Sequence, residues 1–381
     1  MKRRDFVKKA AGGTAGVGVL AACGQPGQSA VAQDGGGIEG PQVSWSLASS
    51  YPTALDILHG ASERFAERVS ALTGGNFQIR VFPQGEIVPG DQVMDAVQQG
   101  TVQAGYTASY YYIGKSPALA FDTAVPFGLT ARQQAAWIYQ GGGLEEIRSV
   151  YSDFGIIHFP AANTGAQMGG WFRQPVNSLT DLRGLRFRIP GMGGEIMRRL
   201  GVSVTGLQAA EIYPALERGA IDGTEWVGPY DDEKLGFHQV AKNYYMPGWW
   251  EPGAGSSVLV SQAAYDQLPG AYKEVLLSAA KESYLDSVAR FDVANPLALE
   301  RLVTQHGVTL RTFSDEILNA AWEQSNAYLE EQAAADATFN RVYQSFKTYR
   351  DHAFPFFNGN EQHYARFAFS KIPGNLGLAA E

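Results

Sequence analysis

Two stretches of this chain, 119 residues apart, follow one plan. Ala96-Val-Gln-Gln-Gly100-Thr-Val-Gln-Ala-Gly-Tyr106 and Ala215-Leu-Glu-Arg-Gly219-Ala-Ile-Asp-Gly-Thr-Glu225 each read as a helix end, a glycine and a short apolar strand. Gly100 and Gly219 stand where a helix C-terminus needs a left-handed residue, a conformation glycine adopts without steric cost. Two readings fit. Any α/β protein repeats this unit, or the chain folds into two similar lobes, each placing a polar or aromatic residue just past a strand's carboxyl end. In open α/β sheets that is where ligands bind. Tyr106–Tyr112 follow the first copy, and Glu225 and Trp226 end the second.

The surrounding pattern sets the fold class. Gln42–Ala48 and Asn76–Phe82 alternate like strands, and Val102–Thr107, Gly155–Phe159, Gln167–Phe172, Leu185–Ile189 and Ser257–Val260 add further strand candidates. Helical spacing covers Thr53–Thr73, Asp91–Gln99, Gly193–Leu200 and Ala209–Arg218. Strands alternating with helices predict parallel sheets with crossover helices, an α/β class. From about residue 262 the pattern becomes almost wholly helical over 270–304 and 314–352, with breaks expected near Pro296 and Gly307. Ile317, Ala320, Ala321, Leu329, Phe339, Val342 and Phe346 form an apolar stripe longer than one small lobe needs. Pairing of two chains through this stripe is one expectation, and burial within the same chain is the other.

The first residues read as an address. MKRRDFVKKAAGGTAGVGVLAAC has a basic opening, a mild small-residue run and a cysteine. Arg3-Arg4-Asp5-Phe6-Val7-Lys8 resembles a twin-arginine (Tat) export motif, and Leu20-Ala21-Ala22-Cys23 a bacterial lipobox, in which Cys23 is acylated and becomes the new N-terminus. Residues 1–22 carry five basic and one acidic side chain, so their removal takes the formal charge from −8 to −12. Residues 23–41, rich in Gly, Gln, Ala and Ser, read as a flexible tether. The expected organisation is then a first lobe over 42–163 with about 254–295, a second over 164–253 and a helical region over 296–381.

Composition narrows the function. The acid excess argues against nucleic acid as a partner. One cysteine excludes an intramolecular disulfide and a cysteine-based zinc site. No H-E-x-x-H, G-x-S-x-G or phosphate-loop motif occurs, and the six histidines lack ligand spacing. Gly191-Met-Gly193-Gly194-Glu-Ile196 begins like a dinucleotide loop but fails at its sixth position. Asp231-Asp232-Glu233 reads as a solvated helix start. Nothing forms a catalytic constellation, and recognition chemistry remains. In a strand reading Arg186 and Arg188 share one face, ahead of Ile189-Pro190, and a guanidinium at a strand end suits bidentate capture of a carboxylate. A surface arginine paired with a neighbouring acid is the alternative.

The runs DLRGLRFRIPGMGGEIMRRLG and ALERGAIDGTEW resemble the solute-binding receptors of TRAP (tripartite ATP-independent periplasmic) transporters, over essentially the whole chain from Trp45 onwards. Most such receptors carry Asn-Pro after the D-G-x-E element; here Trp226-Val-Gly-Pro229 stands instead. With NTGAQMGGWF and GWWEPG, this is similar to the branch that binds α-keto acids, lactate and other small monocarboxylates together with a metal cation. The resemblance implies a two-lobed type II periplasmic binding fold, with long helices spanning and following the lobes. It implies Arg188 for the substrate carboxylate, and Gln167, Glu225 and the Trp226 carbonyl for a cation, calcium or sodium, with Glu251 a further ligand candidate. Asn163, Tyr111, Gln167 and Trp226 complete the expected substrate contacts, and Trp226, Trp249, Trp250 and Tyr110–Tyr112 either wall an apolar pocket or are plain core aromatics. Gln167, Glu225 and Glu251 offer the hard oxygens such cations take. The expected activity is capture of a small organic acid outside the cytoplasmic membrane and delivery to membrane permease subunits. An exported enzyme acting on such acids and an interaction module built on the late helices are the competing readings.

Overall fold

The computed structural model describes residues 38–372; the export motif, Cys23 and most of the tether lie outside the described residues. Eleven strands form two sheets: β1 (Val43–Ser49), β2 (Phe77–Phe82), β3 (Ala104–Thr107), β4 (Ile156–Asn163), β5 (Gly170–Phe172), β6 (Arg186–Arg188), β7 (Ser203–Thr205), β8 (Gly223–Thr224), β9 (Asn243–Met246), β10 (Gly255–Ser261) and β11 (Thr309–Thr312). The first sheet has the order β2-β1-β3-β10-β4, the second β11-β9-β5-β8-β6-β7. Each sheet with its helices is one lobe. Both are mixed, because β10 runs antiparallel to β3 and β4, and β5 antiparallel to β8 and β9. These are the strands the chain enters directly from the last strand of the other lobe, β5 after β4 and β10 after β9, with no helix between. The remaining pairs, β1 with β2 and β3, β6 with β7 and β8, and β11 with β9, are parallel.

The repeated unit is present in both lobes. Helices Val93–Gln98 and Ala209–Glu217 end near Gly100 and Gly219, whose φ values of +71° and +69° are left-handed, and the short strands β3 and β8 follow. Tyr106 lies on β3 and Glu225 directly after β8. The two crossing segments hold each other: Thr164 N donates to Ala254 O (3.0 Å), Gln167 N to Glu251 O (3.1 Å) and Gly248 N to Gln167 O (2.9 Å).

Several local expectations give way to tertiary context. The helix expected over Thr53–Thr73 begins only at Gly60, after a series of turns. The break expected at Pro296 is absent: one 35-residue helix runs Gly270–Thr304. Pro296 is exposed, so water can serve the carbonyl its missing N–H leaves free, while buried Phe291, Ala298 and Leu299 anchor the helix on both sides. This helix spans the lobes. Its Ser283 Oγ donates to Ala61 O (2.7 Å) in the first, and its Asn295 Oδ1 accepts from Tyr230 N (3.1 Å) in the second. The region 296–381, expected to be helical, contributes strand β11 to the second sheet.

The apolar stripe is covered within the chain. Ile317, Ala321, Leu329, Phe339, Val342 and Phe346 are all buried, and only Ala320 is half-buried, so the stripe does not offer the surface for pairing two chains that its length suggested. It lies on two helices, Asp315–Ala335 and Ala337–Phe357, meeting at Asp336, whose carboxylate caps the second by accepting from Thr338 N and Phe339 N. The first is tied to the second lobe through Arg199 and Glu331 (2.5 Å). The second lies on the first lobe, with Phe339 and Phe346 rings 5.1 and 5.3 Å from Phe121 and Arg341 bonded to Glu146 (2.8 Å). One lobe alone would not need so long a stripe; two bridged lobes do.

Candidate functional site

Arg188 ends β6, and the register places it beside Thr205 on β7 and Thr224 on β8. Alternation along this three-residue strand buries Phe187 and would expose both arginines equally. Arg186 remains exposed in a fork with Asp222 (2.9 and 2.5 Å). Arg188 is only 2% exposed, because it turns into the space between the lobes. There its Nε donates to Leu207 O (3.0 Å), and its Nη1 to Glu225 O (3.1 Å) and Glu225 Oε1 (2.5 Å). These protein acceptors engage Nε and Nη1 only. The Trp226 ring covers the guanidinium, 5.0 Å away.

Around this pair the chain gathers polar atoms that nothing in the described protein satisfies. Glu225 and Glu251 are buried, and each leaves its Oε2 without a hydrogen bond; so does buried Gln167 at Oε1. Gln167 Nε2 donates to Thr164 Oγ1 (3.1 Å), which turns its amide oxygen the other way. Three side-chain oxygens without donors are costly in a dry interior. Burial is the largest influence on the carboxyls. It pushes Glu225 up to about 8 against the pull of Arg188, and it drives Glu251 well above the ordinary carboxylate range with Glu225 adding repulsion. A hard cation would supply what these oxygens lack. Two carboxylates are too few for a purely acidic or histidine cage, and no group of three such residues able to hold a metal occurs among the described residues. The donor set fits a cation held by mixed carboxylate, amide and carbonyl oxygens.

Beside this cluster lies a narrow cavity with room for about one water molecule. Tyr110, Tyr111 and Leu58 line it from the first lobe, Gln167, Trp226 and Val227 from the second. The lobes are closed over it. Tyr110 lies so near Gly191 that a Cβ there would be 3.0 Å from the Tyr110 Cβ. Gln84 Nε2 reaches Gln208 Oε1 (3.3 Å), and Asp56 of the first lobe pairs with Lys234 and accepts from Tyr230 OH (3.2 Å) of the second.

The structure thus brings Gln167, Trp226, Arg188, Glu225 and Glu251 together, with Tyr111 on the same cavity. Asn163 stands apart. Its Nδ2 donates to Gln134 Oε1 (2.6 Å) and its Oδ1 accepts from Gly165 N (2.9 Å), so its side chain fastens the crossing between lobes and does not line the cavity. Trp249 and Trp250 are core aromatics, stacked on Phe127 (5.2 Å) and packed near Phe313 (5.9 Å). Asp231 and Asp232, expected in solvent, are buried. Asp232 accepts from Trp171 Nε1, Tyr244 OH and two backbone N–H groups, whereas both Asp231 oxygens are unpartnered. Sequence reasoning missed Leu58, Val227, Thr164 and Ser256 as cavity residues. Val227, Thr164 and Ser256 are marked only by their nearness to strand ends and to the N-T-G-A-Q run, and nothing in the sequence marks Leu58.

A fold of two mixed α/β lobes joined by crossing segments and closed on a charged, buried cleft is that of a two-lobed solute receptor. Residues 48–336 match the family described as DctP, bacterial extracellular solute-binding protein, family 7, and the chain belongs to that family. It is 50% identical over 370 residues, 97% of this chain and 100% of the relative, to the monocarboxylate 2-oxoacid-binding periplasmic protein of Nostoc sp.. Among solved structures it is similar to a TRAP transporter solute-binding protein from Bordetella bronchiseptica, a mixed-occupancy dimer with copurified calcium and picolinate. That match has a TM-score of 0.86 at 41% identity and covers 87% of this chain and 98% of that one. It is also similar to a TRAP periplasmic solute-binding protein from Pseudoalteromonas atlantica with bound sodium and pyruvate, with a TM-score of 0.83 at 38% identity, covering 85% and 99%.

Proposed function

We propose that this chain is the extracytoplasmic receptor of a TRAP transporter, capturing a small 2-oxo or 2-hydroxy monocarboxylate with a calcium or sodium ion between its lobes and handing it to membrane permease subunits. One observation carries the reading: a fully buried guanidinium sits against two buried carboxyls with unpartnered oxygens, in a closed cleft between two lobes. In this reading Arg188 offers its free Nη2 to the ligand carboxylate. Glu225, Glu251, Gln167 and the Trp226 carbonyl hold the cation, and the ligand's carboxylate and 2-position oxygen complete its coordination. The physical reason is charge balance. A small acid offers little apolar area, so its affinity comes from charge-assisted contacts, each worth roughly 1.5–3 kcal/mol. Glu225 alone would repel it, and a cation between the two converts the repulsion into a bridge.

The chain then acts outside the cytoplasmic membrane. Export by the Tat route and a lipid anchor at Cys23 rest on Arg3-Arg4 and Leu20–Cys23. Pairing of two receptors, if it occurs, must use a surface other than the buried stripe; the late helices leave Phe356, Tyr364, Phe367 and Phe369 exposed. An exported enzyme on small acids is the second reading, and turnover of a bound acid would favour it. The test is calorimetry on chelator-stripped protein. Pyruvate or lactate should bind tightly with calcium or sodium restored and at least tenfold more weakly without. Equal binding in both states would overturn the joint site.

A further inference from the structure

The run Gly191-Met-Gly193-Gly194, which fails as a dinucleotide loop, opens the helix Gly191–Arg199 three residues after Arg188. Each of its glycines leaves room for a different neighbour. A Cβ at Gly194 would stand 2.8 Å from Ile189 O and 3.3 Å from Val204 Cγ1, so this glycine lets the helix lie close on the sheet of its own lobe. A Cβ at Gly193 would stand 2.8 Å from the Cβ of Trp250, the neighbour of Glu251 in the second crossing segment. At Gly191 the three nearest atoms are Tyr110 Cβ, Cγ and Cδ1, at 3.0, 3.1 and 3.4 Å. Tyr110 belongs to the first lobe, is buried, packs edge-on against Tyr111 (4.9 Å) and lines the cavity with it. One turn of backbone thus touches its own sheet, the crossing segment and the opposite lobe.

We infer that Gly191 is the seat on which the first lobe closes, a positioning residue whose missing side chain sets how near Tyr110 and Tyr111 come to Arg188. This rests on the receptor reading above. Non-bonded carbons pack at roughly 3.5–4.0 Å, so a methyl at 191 would push Tyr110 back by roughly 0.5–1 Å. The ring cannot swing aside to relieve this, because the nearest atom is the Tyr110 Cβ, which is fixed to its own backbone; the segment itself must retreat. An acid held on Arg188 would then lose contact with the first lobe, and the loss of one charge-assisted contact weakens binding roughly tenfold or more. Open lobes still admit the acid, so the loss falls on its release and not on its capture. Gly191 also has a left-handed backbone, with φ of +63°, which is a separate reason for glycine that a test must subtract.

Gly184 supplies the subtraction. It lies in the same lobe with a left-handed φ of +75°, but a Cβ there would meet nothing within 4 Å. Gly184→Ala carries the backbone strain alone, and Gly191→Ala carries the strain and the obstruction. The experiment is stopped-flow binding of pyruvate to the full chain with calcium, with melting curves to identify the folded variants. Gly191→Ala should release pyruvate roughly tenfold faster than Gly184→Ala, or faster still, with association rates within about threefold of each other. If alanine at 191 does not fold, the pair Gly191→Asn and Gly184→Asn replaces it, since asparagine adopts the left-handed conformation more readily and still carries a Cβ. A wild type that binds pyruvate, with release from the folded Gly191 variant within twofold of its Gly184 counterpart, overturns the seat and leaves the receptor reading standing. A wild type that binds neither pyruvate nor lactate, with calcium or without, overturns the receptor reading itself and this inference with it.

Discussion

Replacing Arg188 by lysine keeps the charge and removes the fork, which isolates what the guanidinium geometry contributes. In the structure three protein contacts hold this side chain from two sides: Leu207 O through Nε, and the Glu225 carbonyl and carboxylate through Nη1. A lysine ammonium is a single compact point and cannot serve Leu207 and Glu225 while also reaching a ligand at the position of Nη2. Drawn to Glu225, it would leave the Leu207 carbonyl without this donor, at roughly 1–3 kcal/mol of stability if water does not replace it. The ligand would lose a charge-assisted hydrogen bond worth roughly 1.5–3 kcal/mol. At about 1.4 kcal/mol per factor of ten, the expected loss of affinity is roughly 10- to 100-fold. Calorimetry with pyruvate and calcium-saturated protein measures it, and a melting curve shows that Arg188→Lys remains folded. A Kd within twofold of wild type in a folded variant would refute the assignment, because the carboxylate would then need only a positive charge nearby.

Three further outcomes follow from the same geometry. Glu225→Gln should weaken calcium and the acid together, and the factor by which each ligand tightens the other should shrink equally from both sides, since coupling between two ligands is reciprocal; unchanged acid binding with and without calcium would make Glu225 no more than the partner of Arg188. Burial, with Asp232 adjacent, pushes the Asp231 carboxyl up to about 8, so the folded chain holds a proton that the unfolded chain releases near pH 4. Stability owed to that proton is present at low pH and is lost as pH rises towards 8. Asp231→Asn should flatten this slope and raise stability at pH 8 by something on the order of a few kcal/mol, read from urea midpoints at pH 5 and 8; parallel curves for variant and wild type would contradict it. Asp56 pairs with Lys234 and lies near Arg290 (3.4 Å) at an accessible rim of the cleft, where each ion pair is worth roughly 0–1 kcal/mol. Asp56→Asn should raise the ligand off-rate a few-fold in stopped-flow measurements at low salt and make it less sensitive to added salt; identical rates would show that this contact does not hold the lobes closed.

Local physics was legible in the sequence wherever a residue's task depends on its own backbone or its near neighbours. The left-handed glycines at 100 and 219 follow from how a helix must end, whatever lies around it. The strands β1, β2 and β10 and the helices at 193–199 and 209–217 follow from periodicity, which records the direction of burial and not the identity of what covers it. The match of two motifs to one receptor family added the residues of the candidate site, and the structure then brought five of them, on four separate segments, to one cluster. What only the tertiary structure decided was burial that depends on distant chain. Asp231 and Asp232 look like a solvated helix start because an acidic first turn is favourable in water, and they are buried because Trp171, Tyr244 and the long spanning helix close over them. The stripe from Ile317 to Phe346 looks like an association surface because a periodic apolar face does not say whether its partner is the same chain or another. Pro296 looks like a helix break because the sequence does not show that it lies on the exposed side of a helix anchored by buried residues before and after it. Asn163 shares a motif with Gln167, but the strand crossing turns its side chain to Gln134 and leaves Gln167 facing the cavity. In each case the local pattern fixed a preference, and the free energy of burial against residues far along the chain chose the outcome.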